Sequence, residues 1–182
     1  MLKFILLLLS LTAVTSFTSD KILKRNNINK SLQSINMNSN SLLSNEGLPQ
    51  FSKFSNNQIE PGISTVLNNL EKDFNSLEEK IKNEKNIDNL YNLAIEEIER
   101  IEYPLSFSWG LVSHLHSVKN NDELRDAYNK MQPNVIKLSN KISQSKILYD
   151  ALNKLVGTSH LDKIKRRIVE ASVRSMFLSG IG

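Results

Sequence analysis

The stretch Ile63-Ser64-Thr65-Val66-Leu67-Asn68-Asn69-Leu70-Glu71-Lys72-Asp73-Phe74-Asn75-Ser76-Leu77-Glu78-Glu79-Lys80-Ile81 decides the fold class. Its apolar residues, Ile63, Val66, Leu67, Leu70, Phe74, Leu77 and Ile81, recur at steps of three and four. On an α-helix those steps fall on one stripe, while Glu71, Lys72, Glu78, Glu79 and Lys80 fall mostly off it. A strand would need alternation with a period of two, and no segment of the chain shows it.

Working outward, the same pattern continues. Asp88 is expected to cap a second helix that buries Leu90, Leu93, Ala94, Ile98 and Ile101 and ends before Pro104. A third helix is expected over Leu105 to Val118. Asn120 and Asn121 read as a turn, and Asp122 as the cap of a helix carrying Leu124, Ala127, Tyr128 and Met131. Pro133 fits the first turn of a further helix through Val135, Ile136, Leu138 and Ile142. Ile147, Leu148, Leu152 and Leu155 follow before Gly157. A last helix from near Asp162 holds Ile164, Ile168, Val169, Val173 and Phe177. The expectation is an all-α, antiparallel, bundle-like region with short loops. Its boundaries are residues 47–182, entered through an extended segment marked by Pro49, Phe51 and Phe54.

Ahead of it the composition differs. Lys3 and the apolar run Phe4 to Leu9, continued by Leu11, are too short to span a bilayer. With the small residues Ala13, Thr15 and Ser16 behind them they read as a signal peptide, residues 1–16. Residues 17–46 follow, and Lys21 to Asn45 is rich in Ser and Asn without one acidic side chain. That composition fits a transit-like segment or a plain low-complexity, disordered linker. A signal peptide, then Phe17, then a transit-like stretch resembles the two-part leader of proteins sent to plastids of secondary origin. The expected location is organellar, with ordinary secretion as the alternative.

Charge and residue inventory exclude several classes. The sequence pI is near 9.2, but residues 1–46 hold five basic and two acidic side chains, whereas the rest holds 18 and 17. Nucleic-acid binding relies on concentrated positive charge, so a nucleic-acid partner is not expected. With no cysteine, disulfides, thiolate metal sites and cysteine nucleophiles are ruled out. The glycines nowhere form a phosphate-cradling loop.

Three histidines remain, His114, His116 and His160. A zinc helix needs two His at i and i+4 with a Glu beside the first. His114 and His116 are two apart, which points them to different sides of a helix, and no Glu adjoins either. Ser113 lies next to His114, but neighbours on a helix diverge by about 100° and no Gly-x-Ser-x-Gly elbow surrounds them. The pairs Glu78/Glu79 and Glu96/Glu97 read as surface charge. Lys163, Lys165, Arg166, Arg167 and Arg174 read as a solvated face or a contact for an acidic partner surface. No residue is assigned as catalytic, cofactor-binding or metal-binding.

Two blocks carry a resemblance: Val112-Ser113-His114-Leu115-His116-Ser117-Val118-Lys119-Asn120 and Glu123-Leu124-Arg125-Asp126-Ala127-Tyr128. They are similar to the N-terminal region of oligopeptidase A, in the thimet oligopeptidase family of zinc metallopeptidases. Leu48-Pro49-Gln50-Phe51-Ser52, then Ile59-Glu60-Pro61, resemble the family's start of the mature enzyme. Phe177-Leu178-Ser179-Gly180-Ile181-Gly182 resembles a segment closing its first helical stretch. The resemblance implies a large, mainly helical enzyme whose deep channel admits short peptides. It also implies one zinc ion, held by an H-E-x-x-H helix and a further Glu, all downstream of these residues. No family catalytic position transfers to this chain. The zinc is expected in a missing or separately encoded catalytic domain, with these helices forming part of one channel wall. The apolar cluster Met176, Phe177, Leu178 and Ile181 in the last seven residues accords with a fragment that continues, since domain ends are usually polar. Such a chain is expected to be inactive alone. The alternative is a stand-alone helical interaction or peptide-binding protein derived from the peptidase.

Overall fold

A computed structural model of the chain describes residues 40–44, 47–119 and 121–181. The expected signal peptide and the rest of the leader up to residue 39 lie outside the described residues. Helices and connecting turns make up the described part, and no strand occurs in it. The order is two single 3₁₀ turns (Phe51–Lys53 and Asn56–Gln58), then α1 (Ile59–Asn83), α2 (Ile87–Tyr91) and a π-helical turn (Asn92–Glu97). Helices α3 (Ile98–Val118), α4 (Asp122–Ser143), α5 (Lys146–Val156) and α6 (Lys163–Met176) follow, with a second π-helical turn at Phe177–Ile181.

Helix α1 is the hub. All seven residues of its stripe are buried, with Ile63 and Phe74 fully so, and it packs against α3, α4 and α5. Each large apolar side chain withdrawn from water contributes roughly 1.5–3 kcal/mol, so packing of this stripe, more than helix propensity, stabilises the 25-residue helix. Polar contacts flank the α1–α4 seam. Lys130 Nζ lies 2.6 Å from Glu60, and Lys141 Nζ lies 2.9 Å from both Glu71 and Asn75. These pairs are exposed and worth about 0–1 kcal/mol each; they fix register more than they stabilise.

The folded unit reaches back to Asn40, seven residues before Gly47. Leu42 is buried, and the Asn40 amide donates to the Gln58 carbonyl at 2.8 Å while accepting the Leu42 amide at 3.0 Å. Gly62 makes this approach possible: a Cβ there would sit 2.7 Å from Asn40 Nδ2. Composition hides this anchor, because one Leu pair in a run of Ser and Asn does not break the low-complexity pattern.

Several boundaries differ from the sequence expectation. The caps of α2 and α4 are Asn86 and Asn121, whose side chains accept from Asn89 N and Leu124 N; Asp88 and Asp122 stand inside the first turns, where their charge favours the helix N-terminus. Pro104 and Pro133 interrupt nothing, for α3 and α4 run through them. The missing amide of an interior proline costs about 3 kcal/mol. Burial of Ile101, Leu105, Ser108, Trp109 and Val112 on α3, and of Met131, Val135, Leu138 and Ile142 on α4, outweighs it. Ile136, Ile164 and Phe177, read as part of the apolar stripes, are exposed.

Candidate functional site

The two central blocks of the sequence resemblance meet in one corner, where His116 and Tyr128 join Trp109. Trp109 and His116, seven apart, lie on one side of α3, and Tyr128 of α4 stands between them. The Trp109–Tyr128 ring centroids are 4.7 Å apart and the His116–Tyr128 centroids 4.2 Å, both pairs nearly parallel. Trp109 is buried, and Tyr128 and His116 are half-buried. His114 points elsewhere and meets Phe51 of the entry segment at 5.9 Å. The Asn56 side chain reaches Asn121 and Glu123 at the start of α4. His114 and His116 are therefore occupied with different aromatic partners, and His160 is exposed in the loop after α5. No group of three His, Cys, Asp or Glu side chains among the described residues converges to hold a metal ion, so the donor set present does not fit a zinc site.

The carboxylates divide by environment. Glu97 clamps Arg100 through two bonds of 2.8 and 2.7 Å. Glu78 is half-buried and accepts from Ser145, a contact outside the surface-charge reading of the pair Glu78/Glu79. Glu84 accepts the Lys85 and Asn86 amides and the Asn89 side chain, and these bonds, Asn86's first, hold its carboxyl below the usual range. Half-buried Glu102 behaves oppositely. Burial, with the Glu99 charge next to it, pushes its carboxyl up to about 7. Burial and then Glu96 raise Glu99 too. Nothing in the sequence singled out Glu102, since burial of one side of a polar helix face depends on tertiary packing. Beside it Tyr103 and Phe107 form a surface ring pair, with centroids 6.1 Å apart. Tyr91, beneath the Lys165 ammonium at 4.7 Å, has its phenol pushed up to about 12 by burial and by Glu96, Glu99 and Asp162.

The basic residues of α6 have separate fates. Arg166 donates to the Val156 and Thr158 carbonyls at 2.9 and 2.7 Å, closing the end of α5. Lys165 covers Tyr91. Lys163, Arg167 and Arg174 are exposed on the outer side. A hollow of about 270 Å³ lies between α1, α2 and α5, lined by Ile81, Leu90, Ile147 and Ala151 and rimmed by Lys82, Glu84, Asp150 and Lys154. No helix among the described residues is long and apolar enough to cross a membrane.

With this helical corner in view, comparison with known proteins is specific. The family described as neurolysin/thimet oligopeptidase, N-terminal domain, matches residues 63–182. The chain belongs to this family. Among similar proteins, the probable cytosolic oligopeptidase A of Arabidopsis thaliana is 32% identical over 148 residues, covering 80% of this chain and 20% of the relative. The organellar oligopeptidase A, chloroplastic/mitochondrial, of the same plant is 31% identical over 148 residues, 80% of this chain and 18% of that protein. Oligopeptidase A of Escherichia coli (strain K12) is 30% identical over 146 residues, 79% and 21% respectively. The chain spans about a fifth of the length of these curated relatives. The oligopeptidase domain seen here is thus the helical N-terminal portion, with α1 to α6 inside or overlapping the matched region.

Proposed function

We propose that this chain supplies the N-terminal helical wall of a zinc-dependent oligopeptidase that hydrolyses short peptides. The observation that carries the proposal is the family match over residues 63–182, which falls on a packed helical unit with no converging metal ligands among its described residues. In this reading the wall shapes and closes the channel, while zinc and the H-E-x-x-H residues belong to a catalytic part, joined to this chain or separately encoded. The zinc would polarise the scissile carbonyl and activate water there. The present residues would contribute rigidity and peptide-facing surface, and 1–182 alone would be inactive. The name of the organellar Arabidopsis relative supports an organellar location, and the leader composition favours a plastid reached through a two-part address.

The test is a chimera. In the Arabidopsis organellar enzyme, the region similar to this chain is replaced by residues 40–182 and hydrolysis of a quenched fluorescent peptide is followed with and without a chelator. Chelator-sensitive cleavage by the chimera, absent from purified 1–182, is the expected result. A chimera that melts cooperatively yet cleaves nothing would overturn the wall assignment, and chelator-sensitive cleavage by 1–182 alone would overturn its inactivity.

A further inference from the structure

Helix α6 packs inward with little of itself. Val169 and Met176 are buried, and the outward side carries Lys163, Ile164, Arg167, Ala171 and Arg174, with exposed Leu178 following in the π-helical turn. The five α6 positions lie within about 100° of one another on a helical projection. Ile164 is 74% exposed and Leu178 61%, high values for large apolar side chains standing among cations. Glu170 at the border is the one acidic residue of the helix.

The helix's own stability does not account for those charges. Lys163, Lys165, Arg166 and Arg167 crowd its first turns, where the macrodipole disfavours cations, and Asp162 is the single acidic group at that end. Arg166 and Lys165 are engaged with the end of α5 and with Tyr91. Lys163, Arg167 and Arg174 form no ion pair within the described structure. A row of cations alternating with exposed apolar groups matches a partner whose surface alternates carboxylates with apolar side chains.

We propose that the outer face of α6 and of the π-helical turn behind it, from Lys163 to Leu178, is the docking surface for the catalytic part of the oligopeptidase, which meets it with an acidic, amphipathic helix face. This deepens the wall reading and rests on it. Two observations favour this occupant over an anionic lipid surface. The relatives continue for some four-fifths of their length outside the region similar to this chain. The apolar groups stand at opposite ends of this face, separated by charge, instead of forming the continuous apolar face that interfacial insertion requires.

The experiment uses the full 1–182 chain and, as probe, the Arabidopsis organellar oligopeptidase A lacking the region similar to this chain. Binding is measured at low and high salt, with hydrogen exchange on the complex. The expected result is a one-to-one complex that weakens with salt, protects residues 163–181, and loses affinity at least tenfold in R167E/R174E and in I164D/L178D. Lys163→Glu separates docking from folding, because an acidic residue in the first turn suits the helix dipole. It should melt no lower than the parent while binding more weakly. A complex indifferent to all these substitutions, with protection elsewhere, overturns the α6 assignment and leaves the wall reading standing. Absence of any complex also overturns it, as does binding confined to anionic phospholipid vesicles. Failure of the wall reading itself shows separately, as an inactive chimera.

Discussion

The Ser145 hydroxyl donates to Glu78 Oε1 at 2.5 Å and accepts the Leu148 amide at 3.2 Å. One buried side chain therefore caps α5 and ties that cap to α1. Ser145→Ala removes both bonds and leaves the half-buried Glu78 without its donor. The expected loss is about 1–2 kcal/mol, read from the urea midpoint. An unchanged midpoint would show that the α1–α5 seam does not depend on this cap.

Glu102 imposes a pH dependence. Its carboxyl titrates near 7 in the folded chain against about 4.3 unfolded. Between those values the folded state binds the extra proton, so stability falls as pH rises through that window. Below about 4.3 this contribution is complete; above about 7 it has been lost. Glu102→Gln should stabilise the protein at pH 8, by roughly 2 kcal/mol once partial solvent contact is allowed for, and change little at pH 4. Thermal melts across this range check it, and an equal effect at both ends would place the cause outside ionisation.

Trp109 is the only tryptophan of the chain, so its fluorescence reports on the three-ring stack. Tyr128→Ala removes the ring between Trp109 and His116. It should shift emission to the red and cost about 2–4 kcal/mol. Tyr128→Phe keeps the stack and should leave both nearly unchanged, losing only a long 3.4 Å contact from Gln132.

Pro104→Ala supplies an amide to a turn that already has helical form. Removing the proline should stabilise α3 by about 1 kcal/mol, less than the full cost of an interior proline because the helix has relaxed around it. A lower melting temperature would mean that the proline ring packs productively against its neighbours.

The sequence made some features legible and hid others for definite reasons. The stripe from Ile63 to Ile81 was readable because α1 is flanked on one side only, so buried and exposed residues separate cleanly. The start of the last helix near Asp162 followed local chemistry, but proline was weighed as a helix end at Pro104 and as a helix start at Pro133. In both places tertiary burial overrides the local preference. Exposure of Ile164 and Phe177 was also unreadable, since a periodic apolar position does not reveal how deeply it packs. For the site, the i, i+7 spacing of Trp109 and His116 was visible in principle. Tyr128 between them required knowing how α3 and α4 cross.

The π turn at Asn92–Glu97 was invisible for a different reason. Leu90, Ala94, Ile98, Ile101 and Leu105 keep ordinary helical spacing straight across it, so the sequence reads as one uninterrupted stripe. The wider turn accommodates about one extra residue, and a residue is worth about 100° of rotation. The rod from Ile87 to Val118 thus acts as a twisted key: its first bit engages α5, and its later bit engages α1 and α4. Deleting a single residue from that turn would straighten the key without removing one apolar group. Every tooth beyond it, Trp109 and Val112 included, would then be cut for a lock facing another way.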